Sequence, residues 1–204
     1  DDETFDIVLP EEPSLLVGRD NDLKLIKQDL GVVPSDKKRI VVIQGYPGVG
    51  KTTLVKKIAH DPEMRREFPD GILWINIGHD PKINDELNEL ADSLRLSLSS
   101  NKPHEMQKEI QRKLRGRRVL LIIDDVWNPE HGKYFDVTSN EGAILFTTRL
   151  NSVADNLNQY FKSGTIQHLR HLTDDEGFQL LSHVDVAPQS SAKYPQEARE
   201  LVKE

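Results

Sequence analysis

The sequence predicts an α/β fold in three layers, with a mainly parallel sheet of five strands between two layers of helices. Short runs rich in apolar and β-branched residues alternate along the 204-residue chain with helical patterns, which is typical of such a sheet. Most of these runs are apolar at nearly every position, as expected for strands buried on both faces. The five predicted strands are RIVVIQG (39–45), GILWINIG (71–78), RVLLIIDD (118–125), GAILFTT (142–148) and TIQHL (165–169).

Helices are predicted between the strands because apolar residues recur three or four positions apart. Gly116 follows one such pattern, at the position where a helix C-cap is expected. Thr173 and Glu176 have the spacing of a capping box, which predicts the start of another helix. The apolar stripes are Leu23, Ile26 and Leu30; Leu54, Val55, Ile58 and Ala59; Ile83, Leu87, Leu90, Leu94 and Leu98; Met106, Ile110 and Leu114; and Val153, Leu157 and Phe161.

The composition is that of a globular protein and argues against several classes of function. The net charge of −7 offers no basic excess for nucleic acid or an anionic membrane surface. The chain has no cysteine, so disulfides and thiolate metal sites are excluded, which fits a reducing compartment such as the cytoplasm. No apolar run approaches the length of about 20 residues that a transmembrane helix needs.

Three segments are expected along the chain. Residues 1–14 are acidic, contain proline and have no features of a targeting peptide, so they are expected to be a linker or a flexible N-terminal segment. Residues 15–171 carry the alternating pattern and form the main domain. Residues 172–204 are expected to be terminal helices that lead into a truncated helical subdomain. A last helical pattern at Ala198, Leu201 and Val202 has no stop signal, which predicts that the chain is part of a longer protein.

A phosphate-binding loop is predicted between the first strand and the helix that follows it. The segment GYPGVGKT (45–52) has the full spacing of a P-loop. Its glycines let the backbone approach a ligand closely, so that consecutive N–H groups and the helix N-terminus surround a phosphate. Lys51 is expected to reach the β- and γ-phosphates, and the Thr52 hydroxyl to bind Mg²⁺. The alternative, an incidental glycine-rich turn, is disfavoured because loop, strand and helix agree.

Two carboxylates and one arginine are predicted to complete this site. Asp124 follows an apolar strand, as a Walker-B carboxylate does, and is expected to hold Mg²⁺ directly or through water. Asp125 is expected to orient or deprotonate the attacking water, or else to be a helix-cap or loop carboxylate. Arg149 ends another strand, where it could reach a γ-phosphate and report its presence; the alternative is an ordinary surface or ion-paired arginine.

Six segments in order resemble the NB-ARC family of STAND-class P-loop NTPases. They are LLVGRDNDL, GYPGVGKTT, FPDGILWINIG, RVLLIIDDVW, GAILFTTR and LTDDEGFQLL, and they span roughly residues 16–181. This family is the signalling ATPase domain of apoptotic adaptors, plant resistance proteins and bacterial and animal-type relatives. The resemblance implies a five-stranded parallel sheet with the phosphate-loop strand central, and a chain that stops before the family's later subdomains.

The resemblance also implies a ligand and a function. The expected ligands are ADP or ATP with Mg²⁺, and the expected function is a switch that hydrolyses ATP slowly. Nucleotide state is expected to be coupled to conformational change, to protein partners and to self-assembly. Val17 and Gly18 are implied at the adenine and ribose, and Arg19 as a clamp on the nucleotide. The full set expected to bind the nucleotide is Val17, Gly18, Arg19, Gly45, Pro47, Gly48, Val49, Gly50, Lys51, Thr52 and Thr53.

The sequence is compatible with other functions. A turning-over ATPase motor of the AAA+ type favours a glutamate after Asp124, where this chain has the shorter Asp125. A small-molecule kinase needs an arginine-bearing lid, for which no segment is found. A scaffold that binds nucleotide without hydrolysis is also compatible. The basic run KLRGRR (113–118) is interpreted as a helix C-terminus rather than a nucleic-acid patch. The scattered histidines do not favour zinc, and Trp127 is interpreted as a packing anchor.

Overall fold

Thirteen helices and strands form the described part of the chain, which comprises residues 5, 8–31, 38–162 and 164–184 of a computed structural model. The predicted last helix at 198–202 lies outside these residues. In order, the elements are α1 (Asp20–Gly31), β1 (Arg39–Gln44), α2 (Lys51–His60), α3 (Pro62–Glu67), β2 (Gly71–Asn76), α4 (Ile83–Ser93), α5 (Pro103–Lys113), β3 (Val119–Val126), α6 (Pro129–Lys133), β4 (Ala143–Thr148), α7 (Asn151–Phe161), β5 (Gly164–His168) and α8 (Asp174–Val184).

The sheet has the order β2-β3-β4-β1-β5, and every pair of neighbouring strands is parallel. All five predicted strands are confirmed to within two residues at either end. One expectation is corrected: the strand before the phosphate loop, β1, lies between β4 and β5, so β4 and not β1 is the middle strand. Both β1 and β3 are therefore neighbours of β4, which brings their carboxyl ends together.

Two hydrophobic clusters cover the two faces of the sheet and confirm the three-layer arrangement. On one face, α4, α5 and α7 pack on strand residues such as Leu121, Ile123 and Phe146. On the other face, α1, α2 and α3 pack on residues such as Val41 and Ile122. Successive strand residues point to opposite faces, so strands that are apolar at every position supply both clusters.

The predicted stripe from Ile83 to Leu98 is corrected, because α4 ends at Ser93. Arg95 has a left-handed backbone with a φ of 52°, and the Leu96 N–H donates to Ala91 O at 2.9 Å. This is a Schellman ending, in which a left-handed residue terminates the helix without a glycine. Leu98 still packs against the core, but from the following loop rather than from the helix.

Two short helices, α3 and α6, were not predicted. Each begins at a proline, preceded by an N-cap whose side chain accepts backbone N–H groups: Asp61 for α3 and Asn128 for α6. None of the helices in the described residues is long and apolar enough to cross a membrane. Residues 8–14 belong to the segment expected to be a linker or a flexible N-terminal segment. They contact α2, where Lys57 Nζ donates to Glu12 Oε1 at 2.6 Å.

Candidate functional site

A cavity of about 360 Å³ lies at the edge of the sheet where β1, β3 and β4 end. Ligands of open parallel sheets bind at this edge, beyond the carboxyl ends of the strands. The structure brings together here most of the predicted chemical groups, together with one residue that the sequence interpretation did not include, Asn76. The lining residues are Gly48, Gly50, Lys51, Thr52, Thr53, Asn76, Asp124, Asp125 and Arg149.

Three glycines of the loop are needed for two different reasons. Gly48 and Gly50 have φ values of 76° and 95°, in the left-handed region that side chains other than glycine rarely adopt. A Cβ at Gly45 would lie only 3.0 Å from Val49 Cγ1 and 3.1 Å from Leu169 O. Gly45 is therefore favoured by close packing, whereas Gly48 and Gly50 are favoured by the backbone path.

The other three residues predicted to form the loop site, Val49, Pro47 and Thr53, differ in their surroundings. Val49 is buried in the hydrophobic cluster that also contains α1 and α2, so it anchors the loop to the core. Pro47 is exposed at the tip of the loop. Thr53 lines the cavity from the first turn of α2.

Lys51 begins α2 and is only 7% exposed. Its Nζ donates to two loop carbonyls, Gly45 O at 2.7 Å and Tyr46 O at 2.9 Å. Burial, followed by the charge of Arg149, lowers the pKa of Lys51 below its usual 10.5. A buried cation at the start of a helix is therefore available to an anion in the cavity.

A β-bulge places both aspartates at the cavity. The register of β3 against β4 shifts between Ile123 and Val126, so that Asp124 and Asp125 lie opposite Thr147 alone. Asp125 has a left-handed backbone with a φ of 58°. In a regular strand, two successive side chains point to opposite faces, whereas a bulge can redirect one of them. Asp124 and Asp125 consequently both line the same cavity.

Asp124 forms an oxygen-rich group with two threonines. Thr52 Oγ1 donates to Asp124 Oδ2 at 2.9 Å, and Thr147 Oγ1 donates to Asp124 Oδ1 at 2.5 Å. The two predicted Mg²⁺ ligands, Thr52 and Asp124, are thus in direct contact. Hydroxyl and carboxylate oxygens are the donors that Mg²⁺ prefers, so these residues fit the ion.

Thr147 was missed by the sequence interpretation although it supports both aspartates. Its hydroxyl donates to Asp124 and accepts the Asp125 N–H at 2.9 Å. The only sequence signal was a polar pair, Thr147 and Thr148, at the end of an otherwise apolar strand. Asn76 gave a similar signal, since it is a polar residue at the end of β2. In the structure it lies beside Asp124 in the register of β2 against β3.

Asp125, Trp127 and Arg149 contact one another. Arg149 Nε donates to Asp125 Oδ1 at 3.1 Å, and Trp127 Nε1 donates to Asp125 Oδ2 at 3.0 Å. The Arg149 guanidinium carbon lies 4.9 Å from the centre of the Trp127 ring. Both carboxylate oxygens of Asp125 are thus engaged, and Trp127 both packs and donates a hydrogen bond.

Gln44 connects the end of β1 to the strands on both sides. Its Nε2 donates to Arg149 O at 3.1 Å, and its Oε1 lies 2.9 Å from His168 Nδ1. Among the residues that the structure describes, no three histidine or carboxylate side chains are grouped so that they could hold a metal ion.

Val17, Gly18 and Arg19 lie outside the cavity lining, on the side of the loop nearest to α8. Arg19 is only 2% exposed, and its Nη2 donates to Val49 O at 2.8 Å and to Arg170 O at 2.7 Å. Arg19 therefore joins the phosphate loop to the segment that follows β5. Its expected contact with a nucleotide stays a prediction.

Gly18 is packed against the capping box of α8. Its φ is 66°, and a Cβ at this position would lie 2.4 Å from Glu176 Cδ. We expect Gly18→Ala to lower the free energy of unfolding by about 1–2 kcal/mol from the backbone alone, and by more because of Glu176. Chemical denaturation measures the loss. Gly116→Ala is the matched control, because Gly116 has a φ of 73° with nothing within 4 Å of its Cβ. Equal losses in both variants would contradict the packing against Glu176.

Glu176 gives α8 a pH-dependent N-terminus. The Arg170 guanidinium, which donates to both carboxylate oxygens, and then the Thr173 N–H lower the pKa of Glu176 from 4.5 to about 2. The charged form therefore stabilises the folded state above about pH 4.5, and this contribution is lost as the pH falls towards 2.

We therefore expect Glu176→Gln to be less stable than the wild type at neutral pH, with the difference disappearing as the pH falls through this window. Unfolding free energies of the two proteins, measured between neutral pH and pH 2, provide the check. A difference that stays constant with pH would contradict the ion pair.

The parallel sheet, the glycine loop, the buried Lys51 and the carboxylate at the end of β3 together define a P-loop NTPase. A model of the family described as "NB-ARC domain" matches residues 19–191 of the sequence. The chain belongs to the NB-ARC family, a family of nucleotide-binding signalling domains. The resemblance carried by its six sequence segments is thereby confirmed.

Similar curated proteins come from plants and animals. The chain is 27% identical over 180 residues to the putative disease resistance protein At1g50180 of Arabidopsis thaliana, covering 84% of this chain and 20% of that protein. It is 32% identical over 146 residues to disease resistance protein RGA2 of Solanum bulbocastanum, covering 67% and 15%. It is 26% identical over 209 residues to apoptotic protease-activating factor 1 of Danio rerio, covering 96% and 16%. The chain thus spans a fifth or less of these relatives.

Among solved structures, the fold is similar to that of Cdc6p from Pyrobaculum aerophilum. The TM-score is 0.65 at 17% identity, over 94% of this chain and 55% of that one. The Aeropyrum pernix Orc1 protein, solved in complex with DNA, matches with a TM-score of 0.59 at 15% identity, over 84% and 50%. At these identities the likeness concerns the fold alone.

Proposed function

We propose that this domain is an ADP- and ATP-binding signalling switch that hydrolyses ATP slowly with Mg²⁺ and couples nucleotide state to conformation and assembly. One observation carries the proposal. The buried Lys51, the touching pair Thr52 and Asp124, and Arg149 line one cavity beside the phosphate loop. These are the groups that phosphoryl chemistry requires, and membership of the NB-ARC family supports adenine as the base.

The residues have separate roles in this proposal. Lys51 neutralises phosphate charge, and the loop N–H groups at the start of α2 donate to phosphate oxygens. Thr52 and Asp124 hold Mg²⁺, which when bound stabilises negative charge on the phosphates. Arg149 reads the presence of a γ-phosphate. Asp125 is proposed to orient water, although Arg149 and Trp127 each donate a hydrogen bond to one of its carboxylate oxygens. This engagement supports slow rather than rapid hydrolysis.

A route from the phosphate loop to the next part of the chain supports coupling. Arg19 joins Val49 O to Arg170 O, and Arg170 in turn holds Glu176 at the start of α8. The exposed Tyr46 of the loop also stacks on His171, with ring centres 5.3 Å apart. We propose that the P-loop domain ends near residue 171 and that α8 begins the next subdomain. A change in the loop would then be transmitted to that subdomain.

The proposed partners are the adenine nucleotide, flanking domains and other proteins. Self-assembly is proposed from the family, and apoptotic protease-activating factor 1 is among the similar proteins. Nucleic acid is not favoured, because two arginines of the basic run are paired with carboxylates. Arg117 Nη1 lies 2.9 Å from Asp70 Oδ1, and Arg118 Nη2 lies 3.0 Å from Glu67 Oε1.

A time course of phosphate release from Mg²⁺-ATP, with identification of the nucleotide that stays bound, tests the proposed function. We expect release near background and ADP retained on the protein. The competing function is a turning-over AAA+-type motor. Sustained release of many phosphates per chain, from a protein that does not retain ADP, would overturn the switch in favour of that motor.

A further inference from the structure

Trp127 contacts two residues of the nucleotide cavity, although it is not among the described residues that line it. Its indole N–H donates to Asp125, and its ring face lies under the Arg149 guanidinium. On another side, the His79 ring packs edge-on against the indole, with ring centres 4.8 Å apart at an angle of 73°. The indole is therefore held in place while it supports both charged residues.

The contacts of Arg149 leave part of its guanidinium available. Nε donates to Asp125 Oδ1, and the Trp127 ring supports the plane of the group. Within the part of the chain that the structure describes, no residue accepts a hydrogen bond from Nη1 or Nη2 of Arg149. The planar guanidinium therefore has two nitrogen atoms, Nη1 and Nη2, available to donate hydrogen bonds, in a geometry that matches a phosphate group.

We propose that Trp127 is a positioning residue that, together with Asp125, holds Arg149 ready for a terminal phosphate and so sets the preference for a nucleoside triphosphate over a diphosphate. This inference rests on the proposed function and adds the residue on which discrimination between a nucleoside triphosphate and a diphosphate depends. Asp125 restrains the guanidinium through Nε, and Trp127 restrains its plane. Because the Arg149 guanidinium is already held in place, binding of a phosphate to it costs less side-chain conformational entropy.

Two substitutions at Trp127 and one matched control test the proposal. Trp127→Leu removes both the aromatic face and the N–H donor, whereas Trp127→Phe keeps an aromatic face and removes only the donor. Trp74→Phe is the control, because Trp74 lies on β2 and packs against the cluster of α1, α2 and α3. Dissociation constants for ADP and for a non-hydrolysable ATP analogue are measured with Mg²⁺ for each protein.

We expect Trp127→Leu to lower the preference for the ATP analogue over ADP by roughly two- to fivefold, the range of an exposed cation–π contact. Its affinity for ADP is expected to stay unchanged. Trp127→Phe is expected to lose less of the preference, and Trp74→Phe none. The proposal would be overturned if Trp127→Leu left the ratio of the two dissociation constants unchanged, whether neither affinity changed or both fell equally.

A double-mutant cycle with Arg149→Leu separates positioning from general packing. If Trp127 acts through Arg149, Trp127→Leu has no further effect on the nucleotide preference once Arg149 is leucine. Additive effects would overturn the proposal. Wild-type protein that binds neither nucleotide would overturn the proposed function and this inference together, whereas binding with additive effects would overturn the inference alone.

Discussion

Lys51→Ala is expected to weaken binding of both ADP and ATP on the order of 100-fold, because charge-assisted hydrogen bonds to phosphate are lost from a buried site. Lys51 is the buried cation of the cavity and lies at the N-terminus of α2. The loss is expected for both nucleotides, since the phosphate loop surrounds phosphates that ADP also carries. Calorimetric titration with each nucleotide in the presence of Mg²⁺ measures the effect.

The fold is expected to tolerate this change. Burial lowers the pKa of Lys51, so its surroundings disfavour the charged form, which offsets part of the stability that its hydrogen bonds to Gly45 O and Tyr46 O contribute. Lys56→Ala, at another lysine of α2, is the matched control and should bind like the wild type. Wild-type affinity in Lys51→Ala, or an equal loss in Lys56→Ala, would contradict the assignment of Lys51.

Asp124→Asn is expected to abolish most of the benefit that Mg²⁺ gives to ATP binding, with a loss of about 10- to 100-fold in Mg²⁺ affinity. The substitution keeps the shape of a side chain that is 3% exposed and removes its negative charge. Binding of ATP is titrated at several Mg²⁺ concentrations to give the metal dependence.

A control carboxylate shows whether the effect is specific. Asp92→Asn removes the same charge from the exposed surface of α4 and should leave the Mg²⁺ dependence unchanged. Unchanged Mg²⁺ dependence in Asp124→Asn would mean that the touching pair Thr52 and Asp124 is a structural contact and not a metal site.

The strands and the phosphate loop could be predicted because their signals are local. Apolar runs such as VVI in β1 mark buried strands wherever they occur, and the spacing from Gly45 to Thr52 reports a backbone path within a few residues. Asp124 could be predicted for the same reason, since it directly follows an apolar run.

The bulge could not be predicted, because it depends on how β3 is aligned with β4. Thr147 is separated in sequence from Asp124 and Asp125, and only the register places its hydroxyl between them.

The early end of α4 has a different cause. Leu94 and Leu98 continue the apolar stripe and do pack on the core, so periodicity alone did not reveal the left-handed turn at Arg95.

Identification of the nucleotide that co-purifies with the chain tests the central claim most directly. The protein is purified without added nucleotide and denatured, and the released compounds are identified by chromatography beside the Lys51→Ala variant. The account predicts a stoichiometric adenine nucleotide, mainly ADP, from the wild type and none from the variant. A wild-type protein that releases no nucleotide and binds neither ADP nor ATP, or a variant that retains the nucleotide, would contradict it.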